Sequence, residues 1–189
     1  ADPGAEAGAN EDGHLTRKGD FTMKKIDKFG LDLCKAQAKL FVDSLSYVKC
    51  SSPVFLRRFM NSLVAKRMDK GSFLFESSTL ESIFAEIEEE FSEIEYGKAK
   101  FSDIEIYWIG YIYWYWCYTL EKTSKQVYRI IKPIELRDLY YPYHSLDCQA
   151  AIERILEAKG ISSEDYISRG VEILRSLQAR KIQNSSSQP

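Results

Sequence analysis

From Met23 to about residue 183 the large apolar side chains return every three or four positions, the period of a helix buried on one side. Ile26, Phe29, Leu33, Leu40, Phe41, Leu45 and Val48 trace one stripe, which predicts a first helix of roughly six turns. Ser52 as N-cap and Pro53 at the first helical position open a second helix, which runs through Phe55, Phe59, Leu63 and Met68 to a terminating Gly71. Residues 72–77 read as a connector. Ser78 and Glu81 then form a capping box for a third helix, whose Leu80, Ile83, Phe84, Ile87, Phe91 and Ile94 share a face.

A second capping box, Ser102 with Glu105, opens the most distinctive segment, Ile106 to Tyr118, thirteen residues without a charge. That is short of the ~20 apolar residues that span a bilayer, and its five tyrosines would leave phenols unsatisfied in hydrocarbon. A helix apolar all round is instead expected at the centre of a fold, with Trp108, Tyr111, Ile112, Tyr115 and Trp116 as its core residues. Trp108, Ile112 and Trp116, four apart, are expected to be buried together. The alternative is an aromatic surface kept for a partner, a role that tyrosine and tryptophan also suit.

Shorter helices follow. Ser124 can cap 125–131, Pro133 can start 134–140, and Pro142 should stop it. Asp147 can cap a helix over 148–159 that Gly160 closes, and Ser162 with Asp165 opens a last one over 164–181. Nothing alternates with the period of a long strand. The expected fold is therefore all-α, a single-domain bundle of about seven helices around the aromatic helix, occupying residues 23–183 with a disordered tail over 184–189.

The first 22 residues change this picture at the N-terminus. They are Gly- and Ala-rich, lack periodicity, and hold five acids (Asp2, Glu6, Glu11, Asp12, Asp20) against Arg17 and Lys18. Met23-Lys24-Lys25 resembles a bacterial start, and Lys18-Gly19-Asp20 can be written as a purine-rich ribosome-binding sequence just upstream. Residues 1–22 thus read as a disordered tag and translated leader. Without them 24 basic residues balance 23 acidic ones, so no long-range field draws in nucleic acid or anionic membrane.

Cys34, Cys50, Cys117 and Cys148 have no C-x-x-C spacing, and three of them sit in apolar helical stretches, as free thiols do in a reducing compartment. With no apolar leader, a cytoplasmic location is expected. Beyond residue 22 only His144 could join the cysteines in a zinc site, so neither metal nor cofactor is expected. Phosphate-cradling glycine motifs and the G-x-S-x-G nucleophile motif are missing from the sequence.

Three groups remain as candidates. His144, with Asp147 to orient it, is the one possible general base; the plainer reading has Pro142 turning the chain, His144 bonding locally and Asp147 capping a helix. Arg57, Arg58, Lys66, Arg67 and Lys70 form a basic cluster on the second helix, able to grip phosphate, an acidic partner, or the acidic third helix. At 100° per residue they spread around that helix, and their stems can simply flank its apolar stripe. Tyr140, Tyr141 and Tyr143 cluster beside His144 as further partner-binding candidates.

The segments Tyr107-Trp108-Ile109-Gly110-Tyr111, Trp116-Cys117-Tyr118-Thr119, Ser124-Lys125-Gln126-Val127-Tyr128 and Tyr143-His144-Ser145-Leu146-Asp147 resemble a family of small, largely uncharacterised helical bacterial proteins. Members are encoded beside proteins similar to ADP-ribosyltransferases, in cassettes that look like toxin–antitoxin modules. The resemblance covers roughly residues 51–159, and the family carries Arg where this chain has Trp114. It implies a non-enzymatic binding protein, the antitoxin-like partner of a co-encoded toxin, with self-association as the other contact; the short uncharged segment and the balanced charge already speak against a membrane. A nucleic-acid-binding regulator, with 125–131 and 134–140 as a helix-turn-helix-like pair, is the rival expectation, and an enzyme using His144 comes last.

Overall fold

The computed structural model describes residues 21–71, 78–91 and 97–162. The described residues are all-α: α1 (Lys28–Tyr47), α2 (Ser52–Asn61), α3 (Leu63–Asp69), α4 (Leu80–Phe91), α5 (Asp103–Thr119), α6 (Ser124–Ile130), α7 (Pro133–Asp138), α8 (Tyr140–Tyr143) and α9 (Cys148–Ala158). The chain groups into two compact units, residues 23–152 and a second comprising 1–22 and 153–189. The first unit carries the features below. Residues 1–20, the 72–77 connector, Ile94, the expected helix over 164–181 and the tail lie outside the described residues.

The central pairing is α1 against α5. They run antiparallel, since Gly30 near the start of α1 faces Tyr118 near the end of α5, while Ala38 lies against Gly110. A Cβ on Gly110 would come within 2.7 Å of the Ala38 Cα, so glycine is what lets the two backbones approach this closely. At the same level Gln37 is buried and its Nε2 donates to the Gly110 carbonyl at 3.0 Å, a polar latch across the contact. Phe41 meets Phe55 and Phe59 of α2 edge-on, with centroids 5.8 and 4.8 Å apart, arrangements worth ~0.5–1.5 kcal/mol each beyond the area they bury. Ile83 and Ile87 of α4 join this core.

The turn chemistry partly follows expectation. Ser102 and Glu105 form the capping box of α5, and Gly71 and Gly160 end their helices with φ of 82° and 63°. Two expected serine caps belong to their neighbours instead. Ser51 precedes α2, freeing the Ser52 hydroxyl to accept from Phe101 N at 2.9 Å while Ser52 N donates to the Ala99 carbonyl at 3.0 Å. Those two bonds fix the 99–101 segment, and hence the entry to α5. Thr123, in a capping box with Gln126, opens α6, and Ser124 turns its N–H and hydroxyl onto Asp69 at 2.9 and 2.7 Å. Burial raises the Asp69 carboxyl above its usual range, and the bonds from Ser124 oppose that shift. The third helix is capped by Thr79, whose Oγ1 accepts from Ser82 N at 3.2 Å, one residue after the expected Ser78.

The expected second helix breaks at Ser62, which ends α2 and caps α3 by accepting from Ala65 N. Neither Gly nor Pro marks the break. It is held from outside, because the freed N–H of Leu63 donates to Glu90 of α4 at 2.8 Å. The break turns Leu63 out of the stripe and leaves it exposed. Phe29, assigned to the first stripe, is likewise exposed at the start of α1. Pro142 does not stop a helix but sits inside the first turn of α8, where no N–H is needed for the helical ladder. These breaks raise the number of described helices from the expected seven or so to nine.

α5 closes at Leu120 with Glu121 in the left-handed region (φ 50°), so that Lys122 N can donate to the Cys117 carbonyl at 3.0 Å. Burial pushes the thiols of Cys34 and Cys148 up to about 12 and about 11 and raises Cys117 well above its usual value, so all three are protonated at neutral pH. All four cysteines are free.

Candidate partner-binding groove

Position along α5 decides which of its aromatic residues are core. Ile106, Ile109, Ile112, Tyr113 and Trp116 are fully buried, and the Tyr113 hydroxyl donates to the Ile131 carbonyl at 2.9 Å. Trp108, Tyr111 and Tyr115, expected in the core, are only half-buried. Steps of four advance about 40° around a helix of 3.6 residues per turn. Trp108 therefore lies roughly 80° away from Trp116 and looks out beside the buried sector.

Asp103, Ile104, Tyr107, Trp108 and Tyr111, close to the i, i+3, i+4, i+7 stripe, form one wall of an open groove of about 520 Å³. Val42 of α1 and, from α8 and its C-cap, Tyr140 and His144 complete the lining. Trp108 and Tyr140 meet at 80° with centroids 5.7 Å apart, making a corner. Tyr107 and Tyr111 lie nearly parallel at 6.5 Å. Burial pushes the Tyr111 phenol up to about 12, so Tyr111 itself stays uncharged at neutral pH. Ile104 is 60% exposed, Tyr107 41%, and Tyr141, packed edge-on against Tyr140, 75%.

His144 stacks on Tyr140 at 4.7 Å, and its Nδ1 lies 3.0 and 3.1 Å from the carbonyls of Tyr140 and Tyr141. Two carbonyl acceptors there place the ring proton on Nδ1. Among the described residues no hydrogen bond or ion pair joins Asp147 to the ring, whose Nδ1 faces the two carbonyls instead; the Asp147 backbone carbonyl accepts from Ala151 as α9 begins. The His144–Asp147 dyad weighed from sequence is not assembled. Tyr143 is half-buried and outside the groove lining.

The basic cluster does not assemble into one patch. Arg58 is buried, and Arg67 is held by a bidentate pair with Glu86 of α4 (Nη2 to Oε2 2.7 Å) that keeps the Glu86 carboxyl below its usual range. Arg57, Lys66 and Lys70 are exposed, and none of the five lines the groove. The acidic third helix is thus one destination of this charge, as its sequence allows.

A second hollow of about 310 Å³ is lined by Met68, Asp69, Trp114 and Lys122 among others. Trp114 is buried, and its indole N–H meets no acceptor among the described residues. Among the described residues no three His, Cys, Asp or Glu side chains converge as a metal site, and no helix is long and apolar enough to cross a membrane.

Sequence reasoning picked out Tyr140, Tyr141 and His144 but missed Val42, Asp103, Ile104 and Tyr107. The signal for three of these was present: they continue the Trp108 and Tyr111 stripe toward the N-terminus of α5. The chain matches no protein-family model, no curated protein and no solved structure.

Proposed function

We propose that the protein is a non-enzymatic binding module in the cytoplasm whose partner, a toxin-like protein encoded beside it, docks on the open face of α5. The observation that supports this reading is the uncovered apolar surface around the groove. Ile104, Tyr107 and Tyr141 stand exposed in continuity with Trp108, Tyr111 and Tyr140, and rigid aromatic side chains of this kind supply much of the energy of protein interfaces. The resemblance described above suggests the kind of partner, and covering that partner's active cleft is the simplest way for a binding module to neutralise it.

Nucleic acid is the less supported partner. Of the basic candidates, Arg58 is buried and Arg67 is engaged by Glu86, which reduces the charge free to meet phosphates. The test is co-expression with the product of the adjacent gene. The wild type should co-purify with it and protect the cell, and Tyr107→Ala combined with Tyr141→Ala should lose both properties while remaining folded. Salt-dependent DNA binding without co-purification would replace this reading with the regulator.

A further inference from the structure

We propose that the groove on α5 is a cage for an organic cation, which on the binding reading above is a lysine or arginine side chain presented by the partner protein. Two features converge on this chemistry. Tyr107, Trp108, Tyr111 and Tyr140 put four aromatic rings around one space, and the faces of such rings carry the negative end of a quadrupole that attracts ammonium and guanidinium groups. The perpendicular Trp108–Tyr140 corner and the near-parallel Tyr107–Tyr111 pair supply walls in different orientations.

Asp103 is the second feature. Among the described residues it is the one carboxylate in the lining, no Lys or Arg lines the groove with it, and its side chain forms neither an ion pair nor a hydrogen bond. A purely apolar occupant would strip water from this carboxylate and return nothing, which is costly. A cationic head on an aliphatic stem satisfies both halves of the groove: the stem packs on Val42 and Ile104, and the charge meets the rings and Asp103. His144 fits the same occupant, since the tautomer that turns Nδ1–H to the two carbonyls presents Nε2 as an acceptor.

The experiment uses the full chain and two probes of the same shape, choline and its uncharged isostere 3,3-dimethyl-1-butanol, read by NMR at the indole N–H signals. The three tryptophans act as internal controls, because Trp108 lines the groove whereas Trp114 and Trp116 are buried elsewhere on the helix. Choline should move the Trp108 signal and leave the other two in place, with the isostere at least about tenfold weaker. Asp103→Asn and, separately, Tyr107→Leu should each weaken choline several-fold without shifting the thermal midpoint by more than a degree or two. Equal binding of the isostere, indifference to Asp103→Asn, or movement confined to Trp114 or Trp116 would overturn the proposal. The two readings fail separately. Partner capture that depends on Tyr107 without choline binding removes the cation cage alone, whereas choline binding without partner capture removes the proposed partner and keeps the cage.

Discussion

On α5 the sector bearing Ile109, Tyr113 and Trp116 is sealed, while the sector bearing Ile104, Tyr107 and Tyr111 stays open, although both are built from isoleucine and aromatic residues. The difference comes from what faces each sector. Gly110 admits the α1 backbone, the Ile131 carbonyl receives the Tyr113 hydroxyl, and neighbouring helices close over Trp116. Among the described residues, Val42, Tyr140 and His144 are what line the groove from outside α5, and they leave it open. An uncharged aromatic run therefore does not by itself distinguish core from interface. The distinction lies in the side of the helix on which the rest of the chain supplies neighbours.

The strongest way to probe the sealed sector is Trp116→Ala. Removing a fully buried indole should cost ~3–5 kcal/mol, read as a lower midpoint in chemical denaturation with unchanged slope. Next comes Gly110→Ala, which places a methyl against the Ala38 Cα, a backbone atom that cannot yield without moving α1. Overpacking of this kind costs about 1–3 kcal/mol, and thermal melting should show it even though alanine is the better helix former. A comparable loss is expected from Tyr113→Phe, which leaves the Ile131 carbonyl unpartnered where the hydroxyl has been removed. That costs roughly 1–3 kcal/mol, at the lower end if water reaches the vacated space. Were all three neutral, the sealed sector would not be the core of the fold.

How legible this was depended on whether the deciding interaction is local. The Ser102 and Glu105 box is complete within four residues, and sequence reads it correctly. Ser52 and Ser124 look like caps by the same rule, yet their hydroxyls serve Phe101 and Asp69, 49 and 55 residues away, and the neighbouring Ser51 and Thr123 take the N-cap positions. The break at Ser62 is unreadable for the same reason, since Glu90 on another helix receives the Leu63 N–H. The all-α class and the special character of α5 were legible because they rest on periodicity and composition. The groove was half legible. Tyr140 and His144 were noticed, and Trp108 and Tyr111 only as core residues, but joining Tyr140 to Trp108 requires knowing that α8 folds back beside α5.

The open sector should answer in the opposite sense, and it gives the smallest stability change. Tyr107 is exposed enough that Tyr107→Ala should shift unfolding by no more than about 0.5 kcal/mol, the usual range for surface substitutions. The decisive measurement is calorimetric titration of the adjacent gene's product into wild-type protein and into Tyr107→Ala, with the melting temperature of each recorded in the same buffer. A weakening of about tenfold or more at an unchanged melting temperature is the predicted result, equivalent to a loss of about 1.4 kcal/mol or more from one interface aromatic. Undiminished binding by a folded Tyr107→Ala would contradict the account, because the open face of α5 would then not be the surface the partner uses.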